Sequence, residues 1–60
     1  MTRKDYVILA KAIHTAFRQS QSEGEILMVT AVAKEIASAL QEDNPAFKYE
    51  RFLKACGVLE

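Results

Sequence analysis

The chain has 60 residues, half of them apolar, and its eight basic residues balance eight acidic ones. This composition is typical of one small folded domain, and it gives no overall attraction to nucleic acid or acidic lipid. Such a domain buries only about 60% of the surface of its unfolded chain, so its stability margin is narrow. One cysteine and one histidine exclude an internal disulfide and supply too few ligands for a structural zinc site, and we expect no metal or cofactor.

The apolar segments are too short to form a membrane span. The longest runs are residues 6–10 and 26–29, far below the roughly 20 residues that cross a bilayer. No cleavable apolar stretch follows the polar opening. Together with the unpaired cysteine, these features predict a cytoplasmic protein without a membrane segment.

Helix 1 is predicted over residues 3–19. Thr2 can cap its start, and Asp5 three residues later can complete a capping box with it. Apolar residues then recur at helical spacing within about 120° of arc, the width of a core-facing stripe. The stripe consists of Tyr6, Leu9, Ala10, Ile13, Ala16 and Phe17.

Helix 2 is predicted over residues 23–42, after a short polar link that favours an antiparallel helical hairpin. Its start is open between two capping pairs, Ser20 with Glu23 and Ser22 with Glu25. The apolar stripe consists of Ile26, Val29, Ala33, Ile36, Ala37 and Leu40. Further apolar residues lie off this stripe, so a second side of helix 2 needs either helix 3 or another subunit to cover it.

Helix 3 is predicted over residues 49–56. Pro45 ends helix 2, and Lys48 takes the N-cap position. Phe47 and Phe52 then have the spacing of a hydrophobic staple, and Gly57 is the stop. The chain is therefore predicted to be a single all-α domain, a helical hairpin plus a short C-terminal helix. Its expected core consists of Leu9, Ile13, Phe17, Ile26, Val29, Ala33, Ile36, Leu40, Phe47, Phe52 and Leu53.

Both ends of the chain resemble a family of short, uncharacterised reading frames from phages and prophages of bacteria. The opening that carries the resemblance is Thr2-Arg3-Lys4-Asp5-Tyr6. The closing segment comprises Asp43-Asn44-Pro45-Ala46-Phe47, Arg51-Phe52-Leu53 and Ala55-Cys56-Gly57-Val58. The resemblance implies a phage or prophage origin and supplies no catalytic or binding motif.

The chain offers no catalytic constellation. His14 falls on the polar side of helix 1, and the positions one helical turn away supply no nucleophile or orienting carboxylate, so we interpret it as a surface histidine. Cys56 lies in the last turn of helix 3, where the helix dipole disfavours a thiolate. We interpret it as a small packing residue near the helix stop. The sequence therefore predicts a protein that is not an enzyme.

Charge is distributed unevenly between the helices. Helix 1 carries four basic residues against one acidic residue, and helix 2 with its ends carries one basic residue against five acidic ones. Lys4, Lys11 and Arg18 repeat every seven residues and form a basic strip along helix 1. The strip is either a solvated face or a binding site for an acidic partner or phosphates. If the strip binds phosphates, the alternative function is that of a nucleic-acid-binding accessory or regulatory protein.

A helix-turn-helix unit is a further alternative for the same function. Residues 32–40 could form its first helix. The connection to helix 3 is longer than the usual three or four residues and lacks a glycine. The second helix offers only Arg51 and Lys54 for reading bases.

The leading hypothesis is a non-enzymatic protein that acts by protein–protein contact and forms a homodimer, with an unidentified protein as a further partner. Contiguous exposed apolar surface usually marks an interface, and the residues expected to form it are Val7, Ile8, Leu27, Met28 and Val32. Met28 and Val32 lie near the expected centre. In the competing interpretation, helix 3 folds over this side of helix 2 and completes a monomer.

Overall fold

A computed structural model describes residues 1–58 as three α-helices joined by short connections. The helices are α1 (Arg3–Gln19), α2 (Glu23–Asp43) and α3 (Tyr49–Cys56). Helices α1 and α2 form the predicted hairpin, and α3 packs against both of them. The predicted all-α, three-helix fold is confirmed.

Helix α1 is closed at both ends by local hydrogen bonds. The backbone N–H of Thr2 donates to Asp5 Oδ2 at 2.9 Å, and the Thr2 hydroxyl donates to the same oxygen at 3.3 Å. At the other end the backbone N–H of Ser20 donates to the Phe17 carbonyl at 3.2 Å, and the Ser20 hydroxyl donates to the Ala16 carbonyl at 3.1 Å. Ser20 therefore terminates α1 rather than starting α2.

Helix α2 begins at the second of the two predicted capping pairs. Ser22 Oγ accepts from the backbone N–H of Glu25 at 3.2 Å, and the Glu25 carboxylate accepts from the backbone N–H of Gln21 at 2.7 Å. The helix ends at Asp43, one residue later than predicted. Asn44 follows, and its side-chain oxygen accepts from the Ala46 N–H at 3.1 Å, which shapes the turn around Pro45.

Helix α3 is fixed at its two ends by aromatic packing and a glycine stop. The rings of Phe47 and Phe52 lie 5.4 Å apart between centroids, and the Tyr6 ring lies 5.0 Å from Phe47. Gly57 has a φ of 82°; its N–H donates to the Lys54 carbonyl, and the next N–H, that of Val58, donates to Leu53. This Schellman pattern is the predicted stop, with the glycine in the left-handed region.

The core differs from the predicted one in which residues it buries fully. The buried residues of α1 and α2 are all alanines, and the rest of the core comes from α3 and the segment just before it. The buried set consists of Ala10, Ala33, Ala37, Phe47, Phe52, Leu53 and Cys56. Six residues expected to be buried are only half-buried: Leu9, Ile13, Phe17, Val29, Ile36 and Leu40. The prediction for Ile26 is wrong, because 38% of its surface is exposed.

The lengths of the helices explain this difference. Helix α3 has 8 residues and α2 has 21, so they span about 12 Å and about 31 Å respectively. Helix α3 therefore covers one end of the hairpin and leaves the end near the α1–α2 turn only two helices thick. The interpretation in which α3 folds over Met28 and Val32 is wrong, because their exposed fractions are 65% and 46%.

Candidate functional site

The side chain of His14 is exposed, as predicted for a surface histidine, and its ring also contacts the end of α3. Its Nδ1 lies 3.2 Å from the carbonyl oxygen of Cys56, 42 residues away. The ring also lies against Gly57, where a Cβ atom would stand 2.5 Å from Nδ1. Because a carbonyl can only accept, this hydrogen bond requires the proton on Nδ1. The side chain is otherwise exposed, and the contact joins α1 to the last turn of α3.

Cys56 is buried at the same junction. Burial raises the pKa of the Cys56 thiol above its usual range, because a thiolate is costly away from water. A nucleophilic cysteine needs the opposite environment, one that lowers its pKa and exposes its sulfur. Among residues 1–58, no group of three or more histidine, cysteine or acidic side chains lies close enough together to hold a metal ion.

The basic strip is extended rather than clustered. Lys4, Lys11 and Arg18 are all exposed on α1. Its first and last members are 14 positions apart, which corresponds to about 21 Å of helix. The strip is thus a line of separate charges along the surface, and the helical fold does not gather them into one anion-binding pocket.

The five residues of the predicted interface are all exposed, but they do not form one patch. On α2, Met28 and Val32 lie about 40° apart around the helix, whereas Leu27 lies about 140° from Val32. On α1, Ile8 lies about 100° from Val7. The chain therefore presents several apolar surfaces, of which the Met28 face, defined here as Met28 and Val32, is one.

A cleft connects the Met28 face to α1 near the hairpin turn. It measures about 260 Å³, and its walls come from the last turns of α1 and the first turns of α2. The lining residues are Ala16, Gln19, Ser20, Glu25, Met28 and Val29. Met28 and Val29 thus share a continuous surface with Ala16 on the side of the hairpin that α3 does not cover.

A second depression, the α1–α3 groove, lies between the first half of α1 and helix α3. It measures about 410 Å³. Its walls contain the core aromatics Tyr6, Phe47 and Phe52, and its basic residues are Arg3, Lys48 and Arg51. This site was not predicted from the sequence, although the positions of Lys48 and Arg51 between Phe47 and Phe52 were a signal that charge and aromatic packing meet there.

Among the residues that the structure describes, no helix combines the length and the apolarity needed to cross a membrane. No protein-family model, no curated protein and no solved structure matches the chain.

Proposed function

We propose that this chain acts by protein–protein contact, without catalysis, and that it forms a homodimer through the Met28 face. The observation that carries the proposal is the exposure of Met28 and Val32, 65% and 46%, on the side of α2 that α3 leaves uncovered. The surface continues through Val29 to Ala16 of α1. Apolar surface of this kind on a small protein usually marks an interface.

The total surface area supports the same proposal. The chain exposes 4597 Å², whereas a compact monomer of its mass exposes about 3900 Å². The difference indicates that the chain is less compact than a typical monomer of its mass. Association is thus a natural way for a chain with so small a core to cover its apolar side.

A two-fold arrangement suits the Met28 face because one patch then serves both subunits. A two-fold axis perpendicular to α2 near Val32 sets the two copies of the helix antiparallel. Glu25, seven residues from Val32 and at the edge of the face, then lies at opposite ends of the contact in the two copies, which keeps the carboxylates apart. Met28 is suited to such a contact because its flexible side chain fills irregular gaps.

Single glutamate substitutions on two sides of α2 test this interface. We expect Met28→Glu or Val32→Glu to convert the dimer to a monomer, because each buries a carboxylate in the contact. Leu27→Glu is the matched control, since it adds the same charge to the opposite flank of the same helix. The measurement is the mass by light scattering during size-exclusion chromatography at one protein concentration. A dimer that survives both substitutions on the Met28 face would place the interface elsewhere.

The alternative function is nucleic-acid binding through Lys4, Lys11 and Arg18. The exposure of all three along α1 favours it, and the zero net charge weighs against it. Gel-shift titration against duplex DNA at low and high salt discriminates, because binding to phosphates weakens steeply with salt. Salt-sensitive binding that disappears in Lys11→Glu would favour this alternative over the homodimer proposal.

The origin and location form part of the same proposal. We infer a phage or prophage protein from the resemblance of residues 2–6, 43–47, 51–53 and 55–58 to short phage and prophage reading frames. The free, buried Cys56 is consistent with a reducing cytoplasm. Affinity capture from infected or lysogenic cells tests both points. A protein partner that is recovered with wild type and not with Met28→Glu would also be placed on the dimer side of α2.

A further inference from the structure

We propose that the α1–α3 groove binds an acidic, amphipathic peptide segment of a partner protein. The inference rests on the proposed function, action by protein–protein contact, but it uses a different surface from the Met28 face. It would supply the chain with one face for a second copy and one for a partner.

The floor of the groove is preformed. Phe47 and Phe52 belong to the buried core, and Tyr6 is held against the Phe47 ring at 5.0 Å between centroids. Ala10 and Ala55 add small side chains that leave space between α1 and α3. The space between these side chains measures about 410 Å³. A ligand therefore meets an apolar surface that the fold has already assembled.

The charges around this floor have one sign. Arg3 comes from the first turn of α1, and Lys48 and Arg51 come from the start of α3. None of the described residues that line the groove is acidic. Arginine pairs with carboxylates through two parallel hydrogen bonds, and lysine adds a compact charge. An apolar floor with a basic rim is complementary to a segment that presents apolar side chains flanked by Asp or Glu.

The combination of floor and rim favours a peptide over a nucleic acid. Phosphate binding needs positive charge, which Arg3, Lys48 and Arg51 supply, but it gains nothing from Val7 and Ala10, the aliphatic side of the groove. An amphipathic helix placed in a groove between two helices uses both features. Val7 is 49% exposed at this site, so a ligand would cover apolar surface that the fold leaves open.

The test is a fluorescence-anisotropy titration with a labelled helical peptide that carries leucines at helical spacing and glutamates between them. We expect binding to wild type that weakens about tenfold or more in Arg51→Glu, because the substitution places a like charge opposite the ligand. Lys54→Glu is the matched control, since it makes the same charge change on α3 at a residue that does not line the groove. Val7→Glu, at an exposed position that tolerates a charge in the folded chain, should abolish binding, with circular dichroism showing an unchanged fold.

The proposal is overturned by no binding to wild type, by equal weakening in Arg51→Glu and Lys54→Glu, or by equal binding of a peptide in which lysine replaces every glutamate. Displacement of the bound peptide by duplex DNA would overturn it in favour of a nucleic-acid ligand. Repeating the titration with Met28→Glu separates this site from the dimer: binding that persists in the monomeric variant supports the groove, and binding that is lost there places the peptide on the Met28 face.

Discussion

At the scale of single residues, the junction of His14, Cys56 and Gly57 shows both what sequence can predict and what it cannot. The left-handed glycine follows from its place directly after a helix, and its φ of 82° agrees. The hydrogen bond between His14 and the Cys56 carbonyl joins residues 42 positions apart. No local pattern encodes such a contact, because it depends on where α3 crosses α1.

Gly57→Ala should destabilise the fold by about 1–2 kcal/mol, because an L-residue is strained at this φ. The new Cβ would also meet His14 Nδ1 at 2.5 Å. Gly24→Ala is the control: it lies in the first turn of α2, a Cβ there meets only Ser22 Oγ at 3.9 Å, and it should be neutral or stabilising by up to about 1 kcal/mol. Urea denaturation measures the free energy of unfolding of both variants. Equal losses in the two variants would contradict the assignment of Gly57 as the helix stop.

Cys56 should make stability fall at alkaline pH. Its pKa is raised in the folded chain by burial, so the folded state keeps the thiol protonated after the unfolded chain has begun to ionise. The contribution of the protonated thiol to the free energy of unfolding is complete below the pKa of the unfolded thiol, about 8.5. It is lost as pH rises above that value towards the pKa of the folded state. We expect wild type to lose more stability than Cys56→Ala between neutral and alkaline pH in urea denaturation. Parallel curves for the two proteins would show that the thiol ionises equally in both states.

At the scale of the helices, start and stop signals predicted the elements closely because capping is local chemistry. The sequence left the start of α2 open between Ser20 and Ser22, since both have a glutamate three residues later. The structure separates them by their partners: Ser20 bonds backward to Ala16, and Ser22 bonds forward to Glu25. One serine ends a helix and the other begins the next, which local spacing alone could not decide.

Substituting the two serines separately tests these roles. Ser22→Ala should cost about 1 kcal/mol, because it removes the N-cap acceptor of α2. Ser20→Ala should change stability by less than about 0.5 kcal/mol, because the hydroxyl it removes bonds an accessible carbonyl at the end of α1. Thermal unfolding of the two variants gives the comparison directly. The reverse order would mean that α2 begins at Ser20.

Phe52 is one of the three buried residues of α3, together with Leu53 and Cys56. It is buried, and its ring lies 5.4 Å from that of Phe47. Phe52→Ala should cost about 3–5 kcal/mol, a large part of the stability of a small domain. Phe17→Ala removes the same ring from the half-buried, two-helix end of the hairpin and should cost clearly less. A Phe52→Ala protein that melts within about two degrees of wild type would exclude the staple.

At the scale of the whole molecule, the helical stripes predicted which faces turn inward but not how far each is covered. Burial of Ile26 or Phe17 requires a third helix of matching length, and α3 has only 8 residues. The same shortage leaves Met28 and Val32 exposed. The exposure of Met28 and Val32 could be predicted from sequence because they fall outside the stripe of α2, whereas Ile26 lies within that stripe and is exposed as well. The α1–α3 groove could not, because it combines Arg3 with Lys48 and Arg51 from the other end of the chain.

Sedimentation equilibrium of the wild-type chain at micromolar concentration tests the central claim most directly, because it measures association without a probe or a substitution. The homodimer proposal predicts a mass of twice the 6.7 kDa of the chain, with dissociation on dilution. A single species of 6.7 kDa across the concentration range would contradict it.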